Sequence, residues 1–315
     1  MTSLGTILIT DCDHPTTAIE RGLVEAAGFS LEVAQCRTAD EVIAVATRSG
    51  ALGLIVQYAP ITGDVLRALT ACRVVGRYGV GLDTIDLTTA AELGIRVVNV
   101  PDYCTDEVAD HALGLILALT RGIVALDRGV QRGTWDFRLA GRVRRPSSQR
   151  LGVVGLGRIG SALARRAEAL GYDVVGADPQ GARDSGVRLV ELETLLASSD
   201  VVSIHAPLEP STRHLINART LALMRPTAIL VNTSRGGLVD HDALVDALRD
   251  GRLAGAGLDV LEREPIPADD PLIGLPNVVL TPHAAFYSEE SLIEMKRKVS
   301  ERVLASLVGE RDQAR

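Results

Sequence analysis

At 315 residues, 46% hydrophobic, 23% charged and only 3% aromatic, the chain is too long for one core and too apolar for disorder, which points to two domains of ordinary size. A formal net charge of −7 argues against a surface built to neutralise a phosphate backbone, and so against a nucleic-acid partner. Cys12, Cys36, Cys72 and Cys104 form no Cys-x-x-Cys pair and no cluster with histidine, so neither a metal site nor a disulfide framework is expected and a reducing cytoplasm fits.

In chain order, the apolar run from Thr6 to Thr10 reads as a buried strand, followed by a polar loop over 11–15 and a helix ending near Gly28. Further strands are expected near Leu31 to Cys36, Leu52 to Gln57, Val74 to Val75 and Val97 to Val100, with helices near Ala39 to Arg48 and Thr62 to Leu69. Alternating strands and helices imply right-handed parallel connections, so residues 1 to about 100 should form one doubly wound unit. Asp106 to Gly129 reads as one long helix leaving that unit, and the arginine-rich segment 142–150 as a solvated connection. The helix's most apolar stretch, Val108 to Leu119, is interrupted by Asp110 and His111 and is too short to span a bilayer, so no membrane association is expected.

A second unit follows, with strands near Leu151 to Gly155, Asp173 to Ala177, Val201 to Ile204, Ala228 to Val231, Gly255 to Leu258 and Val278 to Leu280, and a helix over Ile159 to Leu170. About six strands are therefore expected in its sheet. The final helix, from Ser288 to about Leu307, is expected to cross back to the first unit. The whole reads as an α/β protein of two doubly wound parallel-sheet domains with a cleft between them, one of residues 1–100 plus 288–315 and the other of residues 101–287.

Gly155, Gly157 and Gly160 stand between a strand and a helix, the context that makes this spacing informative. The first glycine permits a sharp turn, the second leaves room for a pyrophosphate, and the third lets helix and strand pack closely at a helix N-terminus. Arg158 adds charge there and Ile159 opens the helix. Asp178 ends the next strand, where an acceptor for ribose hydroxyls belongs; it favours NAD over NADP, and Pro179 follows it rather than an arginine. Arg183 is the nearby basic residue that would suit a 2′-phosphate.

Three more segments close expected strands of the second unit, at the ends where open α/β sheets bind ligands. They are Asn232, Thr233, Ser234 and Arg235; Asp259 to Glu264; and Thr281, Pro282 and His283. In this order, with the glycine fingerprint, they resemble the D-isomer-specific 2-hydroxyacid dehydrogenases over nearly the whole chain. The resemblance implies a flavodoxin-like substrate domain, a Rossmann NAD-binding domain and a catalytic set: Arg235 grips the substrate carboxylate and carbonyl, His283 gives or takes the hydroxyl proton, and Glu264 pairs with His283, with Glu262 as the alternative partner. It also implies that Thr105, His205, Ala206, Pro207, Thr212, Asn232, Thr233, Ser234, Asp259 and Ala285 line the cofactor. Hydride transfer needs a cation for the carboxylate and an acid/base working near neutrality, and this set supplies both. A carboxylate neighbour favours imidazolium, so Glu264 is expected to extend ketoacid reduction toward higher pH. His14, His111, His214 and His241 read instead as capping or surface residues.

Arg77, Tyr78, Gly79, Val80 and Gly81 resemble the family's substrate loop, and the basic Arg77, like the run His283 to Glu289, resembles the C-terminal-binding-protein branch and its bacterial relatives. Phe286 stands where the animal proteins of that branch carry a tryptophan, so their substrate preference does not transfer. Arg77 with Arg235 suits a 2-keto acid bearing a second anion. The branch also leaves open an NAD-responsive binding protein, and the fold leaves open oxidation of a small anion such as phosphite or formate. A homodimer is implied, with the 106–129 helix and the Trp135 segment as candidate contacts.

Overall fold

The computed structural model describes residues 3–181 and 186–313, so Arg183 lies outside the described residues. The chain divides into two compact units, Met1–Tyr103 with Ser288–Arg315, and Cys104–Tyr287. The first contains β1 (Thr6–Ile9), α1 (Ala18–Ala26), β2 (Ser30–Val33), α2 (Ala39–Ser49), β3 (Gly53–Val56), α3 (Gly63–Ala68), β4 (Val74–Arg77), α4 (Leu87–Glu92) and β5 (Arg96–Val98). Its sheet has the order β2-β1-β3-β4-β5 with every pairing parallel, the flavodoxin-like arrangement. Ile7, Leu8, Ile9, Leu54, Ile55, Val56, Val74 and Val75 are buried, because helices cover both faces and an alternating pattern would put polar groups under them.

The second unit contains α5 (Thr105–Thr120), α6 (Ile123–Gln131), β6 (Arg150–Val154), α7 (Arg158–Ala169), β7 (Asp173–Ala177), β8 (Arg188–Leu189), α8 (Leu192–Ser198), β9 (Val201–Ile204), α9 (Ala218–Leu221), β10 (Ile229–Asn232), α10 (His241–Arg249), β11 (Gly255–Leu258) and β12 (Val278–Leu280). Its order, β12-β11-β10-β9-β6-β7-β8, is all parallel. This is the dinucleotide-binding order with one extra edge strand, and its connections change direction between β6 and β9, which makes the C-terminal ends of those strands the natural ligand crevice. The last helix, α11 (Glu289–Gln313), belongs to the first unit and packs on α1, β3, β4 and β5.

Three expectations need correction. The single helix over 106–129 is two helices bent by 62°. Gly122 makes the break: its φ is +63°, and a Cβ there would lie 2.7 Å from the Ala140 Cα, so the chain turns where only glycine fits. The second sheet has seven strands, because the two-residue β8 has both residues exposed and gives no apolar run to detect. The arginine segment 142–150 is not simply solvated, since Arg144 pairs with Asp200 at 2.6 Å and Arg150 with Asp173 at 2.6 Å. Among the described residues no single helix is long and apolar enough to cross a membrane.

Candidate active site

The turn from β6 into α7 has the three properties its glycines suggest. Gly155 has φ +91° and its Cβ would sit 2.7 Å from the His205 carbonyl, while a Cβ on Gly160 would sit 2.0 Å from the Gly155 oxygen. Gly157, by contrast, has nothing within 4 Å of its Cβ position, and no side chain caps the helix it begins. An uncapped N-terminus of a 12-residue helix, with open space above it, fits a pyrophosphate. Arg158 is exposed and Ile159 half-buried at the same end. Asp178 closes β7, and its carboxylate accepts from the backbone N–H of Leu156 at 2.7 Å and of Gln180 at 2.8 Å, so it also holds the glycine turn in place; a carboxylate has further lone pairs for ribose hydroxyls.

The next strand end carries His205, whose Nε2 lies 2.8 Å from Ser203 Oγ. Burial pulls its pKa down to about 4, so the ring is neutral near pH 7. Ala206 and Pro207 follow. Thr212 shapes this loop by donating to the Pro207 carbonyl at 2.7 Å and accepting from Glu209 N–H at 2.8 Å. The Thr233 hydroxyl is buried and, among the described residues, has no hydrogen-bond partner, an orphan that a bound polar group would satisfy. Thr105 opens α5 and is half-buried. The donor set at the strand ends therefore fits a dinucleotide.

The candidate reacting groups stand on the loops after β10, β11 and β12, and the first two of these loops are in backbone contact. Asn232 is fully buried at the end of β10; its amide donates to the Arg235 carbonyl at 2.8 Å and its oxygen accepts from Ser234 N–H at 3.0 Å. The Ser234 hydroxyl donates to the Ile204 carbonyl at 2.8 Å. A Cβ on Gly236 would lie 1.9 Å from the Leu261 carbonyl carbon, which shows how closely the loops after β10 and β11 are pressed. Glu264 accepts from Leu261 N–H at 2.9 Å and stands 2.7 Å from His283 Nδ1. Burial pushes the Glu264 carboxyl up, but its hydrogen bond and charge contact with His283, the Leu261 amide and the Arg235 charge together hold it below the usual carboxylate range. The partner of His283 is thus Glu264. Glu262 is taken by Arg213 at 2.9 Å and His214 at 2.7 Å.

His283 has φ +54°, a left-handed conformation uncommon for a non-glycine residue. The turn holding it is built by Asp259, whose carboxylate accepts from the Thr281 hydroxyl at 2.6 Å and from the Ala284 and Ala285 amides at 2.9 Å each. Asp259 and Ala285 are both buried, and the Asp259 carboxylate joins the strand end of β11 to the turn after β12. Phe286 meets the His283 ring edge-on, centroids 6.4 Å apart. His111, read from sequence as a capping or surface residue, stands 2.9 Å from Thr281 Oγ1; helical spacing alone carries no signal for that neighbour.

In the first unit, Arg77 is half-buried at the end of β4 and its guanidinium lies over the Gly79 backbone, while Val80 is exposed and Gly81 partly so. Tyr78 points the other way. It is 2% exposed, donates its hydroxyl to Glu20 at 2.7 Å and its N–H to Val56 at 2.9 Å, so its polar groups serve the fold and not a substrate. Glu20 is itself fully buried, with Lys296 at 3.9 Å, and the buried His14 ring stands edge-on to Tyr78 at 5.5 Å. Sequence reading missed this charged cluster because each member looks like an ordinary helix or loop polar residue.

A cavity of about 430 Å³ opens at the opposite ends of the second unit's strands, lined by Leu119, Leu139, Arg144, Asp200 and Asn277 among others; it holds none of the candidate residues.

Residues 113–285 match the family model described as D-isomer specific 2-hydroxyacid dehydrogenase, NAD binding domain. A glyoxylate reductase of Korarchaeum cryptofilum is 44% identical over 80% of this chain and 78% of its own length. A D-3-phosphoglycerate dehydrogenase of Methanocaldococcus jannaschii is 39% identical over 96% of this chain, which spans only 58% of that longer protein. Among solved structures, D-lactate dehydrogenase from Aquifex aeolicus complexed with NAD and lactic acid superimposes with a TM-score of 0.86 at 28% identity, covering 98% of this chain and 97% of that one.

Proposed function

This chain belongs to the D-isomer specific 2-hydroxyacid dehydrogenase family, and on that premise we propose that Arg235, Glu264 and His283 carry its reaction. The protein is an NAD-dependent oxidoreductase that interconverts a D-2-hydroxy acid and its 2-keto acid. Bound NAD(H) supplies or accepts the hydride. The observation that carries the residue assignment is the 2.7 Å contact between His283 Nδ1 and Glu264 Oε2. An ionised carboxylate can only accept, so Nδ1 carries the hydrogen and Nε2 is the atom left to exchange a proton with the substrate oxygen. In reduction it delivers that proton as the carbonyl becomes a hydroxyl; in oxidation it takes it back. Arg235, fixed through its carbonyl by Asn232, offers the cation that grips a carboxylate and polarises the adjacent carbonyl.

Gly155, Gly157, Arg158, Ile159 and Gly160 are assigned to the pyrophosphate, Asp178 to the adenosine ribose, and Thr105, His205 to Pro207, Thr212, Asn232 to Ser234, Asp259 and Ala285 to the remaining cofactor wall. Arg77 with Gly79 to Gly81, and Phe286, are assigned to the substrate, Arg77 answering a second anionic group. A homodimer is the proposed assembly, supported by Trp135 and Phe137, exposed at 90% and 84% on the segment packed beside α6. Four buried, free cysteines support a reducing, cytoplasmic setting. The residues 1–103 and 288–315 are read as the substrate domain and 104–287 as the cofactor domain.

The test is NADH consumption by the purified protein with a panel of monoanionic and dianionic 2-keto acids, using Arg77→Ala as control. Turnover of dianionic acids that collapses in the variant, while monoanionic turnover persists, supports both the reaction and the second anion site. Equal rates in the two proteins on every acid remove Arg77 from the site, and no turnover at all despite tight NADH binding overturns the reading.

A further inference from the structure

The turn carrying His283 is tied to a residue on a different element. The Thr281 hydroxyl donates its one proton to Asp259 Oδ1 at 2.6 Å. Its 2.9 Å contact with His111 Nε2 is therefore a hydrogen bond only if the imidazole is the donor, which places the ring hydrogen on Nε2. The same nitrogen stands 3.5 Å from the buried Asp259 carboxylate, an attraction of the same sign. His111 projects from α5, which packs on α7 and on β10, β11 and β12, so the donor comes from a firmly held helix.

The result is one continuous chain: His111 N–H to Thr281 O–H, Thr281 to the Asp259 carboxylate, and that carboxylate to the Ala284 and Ala285 amides. His283 lies within the segment this chain spans, and its own N–H donates to the Asp259 carbonyl at 2.8 Å. A backbone with φ +54° does not hold itself there, since side-chain-bearing residues avoid that region unless the surroundings impose it. We infer that His111 is a positioning residue for His283, acting through Thr281 and Asp259 to keep the 281–285 turn in the conformation that sets Nδ1 on Glu264. His111 does not itself carry the substrate proton, because Nε2 is spent on Thr281. The inference rests on the reading of His283 as the acid/base.

The experiment compares His111→Leu, His111→Gln and Thr281→Val, each with the full chain, NADH and a 2-keto acid that the wild type reduces. A misplaced acid costs rate more than ground-state binding, so His111→Leu is expected to lower kcat about tenfold or more with the ketoacid KM within about twofold. His111→Gln, which restores an N–H donor, is expected to recover most of that loss, and adding Thr281→Val to His111→Leu to cost little more, because both cut one chain. In the ligand-free ¹⁵N-labelled wild type, the His111 ring is expected to be protonated at Nε2. That readout decides the matter even where the leucine variant fails to fold. An unprotonated Nε2, a wild-type kcat in a folded His111→Leu protein, or equal losses in the leucine and glutamine variants would each overturn the inference. Normal turnover in His111→Leu beside an inactive His283→Gln sinks the positioning role alone, whereas wild-type activity that survives His283→Gln sinks the reading beneath it.

Discussion

The 2.7 Å contact between Glu264 and His283 decides which imidazole nitrogen meets the substrate, and it also fixes the direction of a pH effect. Glu264 is held below its ordinary value of 4.5, so what the pair adds to stability is present above that value and is lost only as pH falls through the lower folded one. Across the neutral and alkaline range the carboxylate is charged and accepts the Nδ1 hydrogen. Glu264→Gln, which loses that charge, is therefore expected to lower kcat/KM for ketoacid reduction by about tenfold or more at saturating NADH. An unchanged kcat/KM would separate the two residues functionally. The pairing of Glu264 with His283 was legible in sequence because both stand in loops that follow strands in a recognisable order. His111 was not, because its partner Thr281 is 170 positions away and no local pattern links them. The opposite error befell Tyr78: a motif position says that a residue is near the site, and leaves unsaid whether its polar atoms are already bonded inward.

At the scale of elements, the turn from β6 into α7 separates packing from ligand space within a few residues. Gly160→Ala drives a methyl toward a backbone oxygen 2.0 Å away that cannot rotate aside, and is expected to destabilise the second unit by about 1–3 kcal/mol, read as a lower Tm or urea midpoint. Gly157→Ala meets nothing within 4 Å. It is expected to leave Tm within a degree or so of wild type while weakening NADH binding about tenfold, the equivalent of one lost hydrogen bond to phosphate. Matching losses of stability in both variants would deny Gly157 its role. Most strands could be read from apolar runs, since a parallel sheet covered on both faces demands them. The break in the 106–129 region escaped because one glycine inside a helical pattern is usually tolerated, and only its contact with Ala140 shows that it cannot be helical here.

For the molecule as a whole, the two sheet orders explain why one chain offers chemistry at strand ends in each unit: both are doubly wound, and both present their loops at the carboxyl ends of parallel strands. That organisation was legible from the strand and helix alternation, whereas the exposure of particular aromatic side chains was not, because only the fold shows which of them remain outside. Trp135 and Phe137 remain outside, and large exposed aromatics mark protein contacts. Trp135→Ser is expected to weaken a homodimer by about 2 kcal/mol or more, seen by sedimentation as a shift toward monomer at micromolar concentration; a wild type that sediments as a monomer throughout would contradict the proposed assembly.

The most direct test of the chemistry is a comparison of His283→Gln with wild type for NADH binding and for NADH consumption with a 2-keto acid. With His283 as the acid/base, cofactor binding is expected to survive while turnover falls by roughly 10²–10⁴-fold. A glutamine variant that reduces the ketoacid at the wild-type rate would contradict the assignment of the reaction to Arg235, Glu264 and His283.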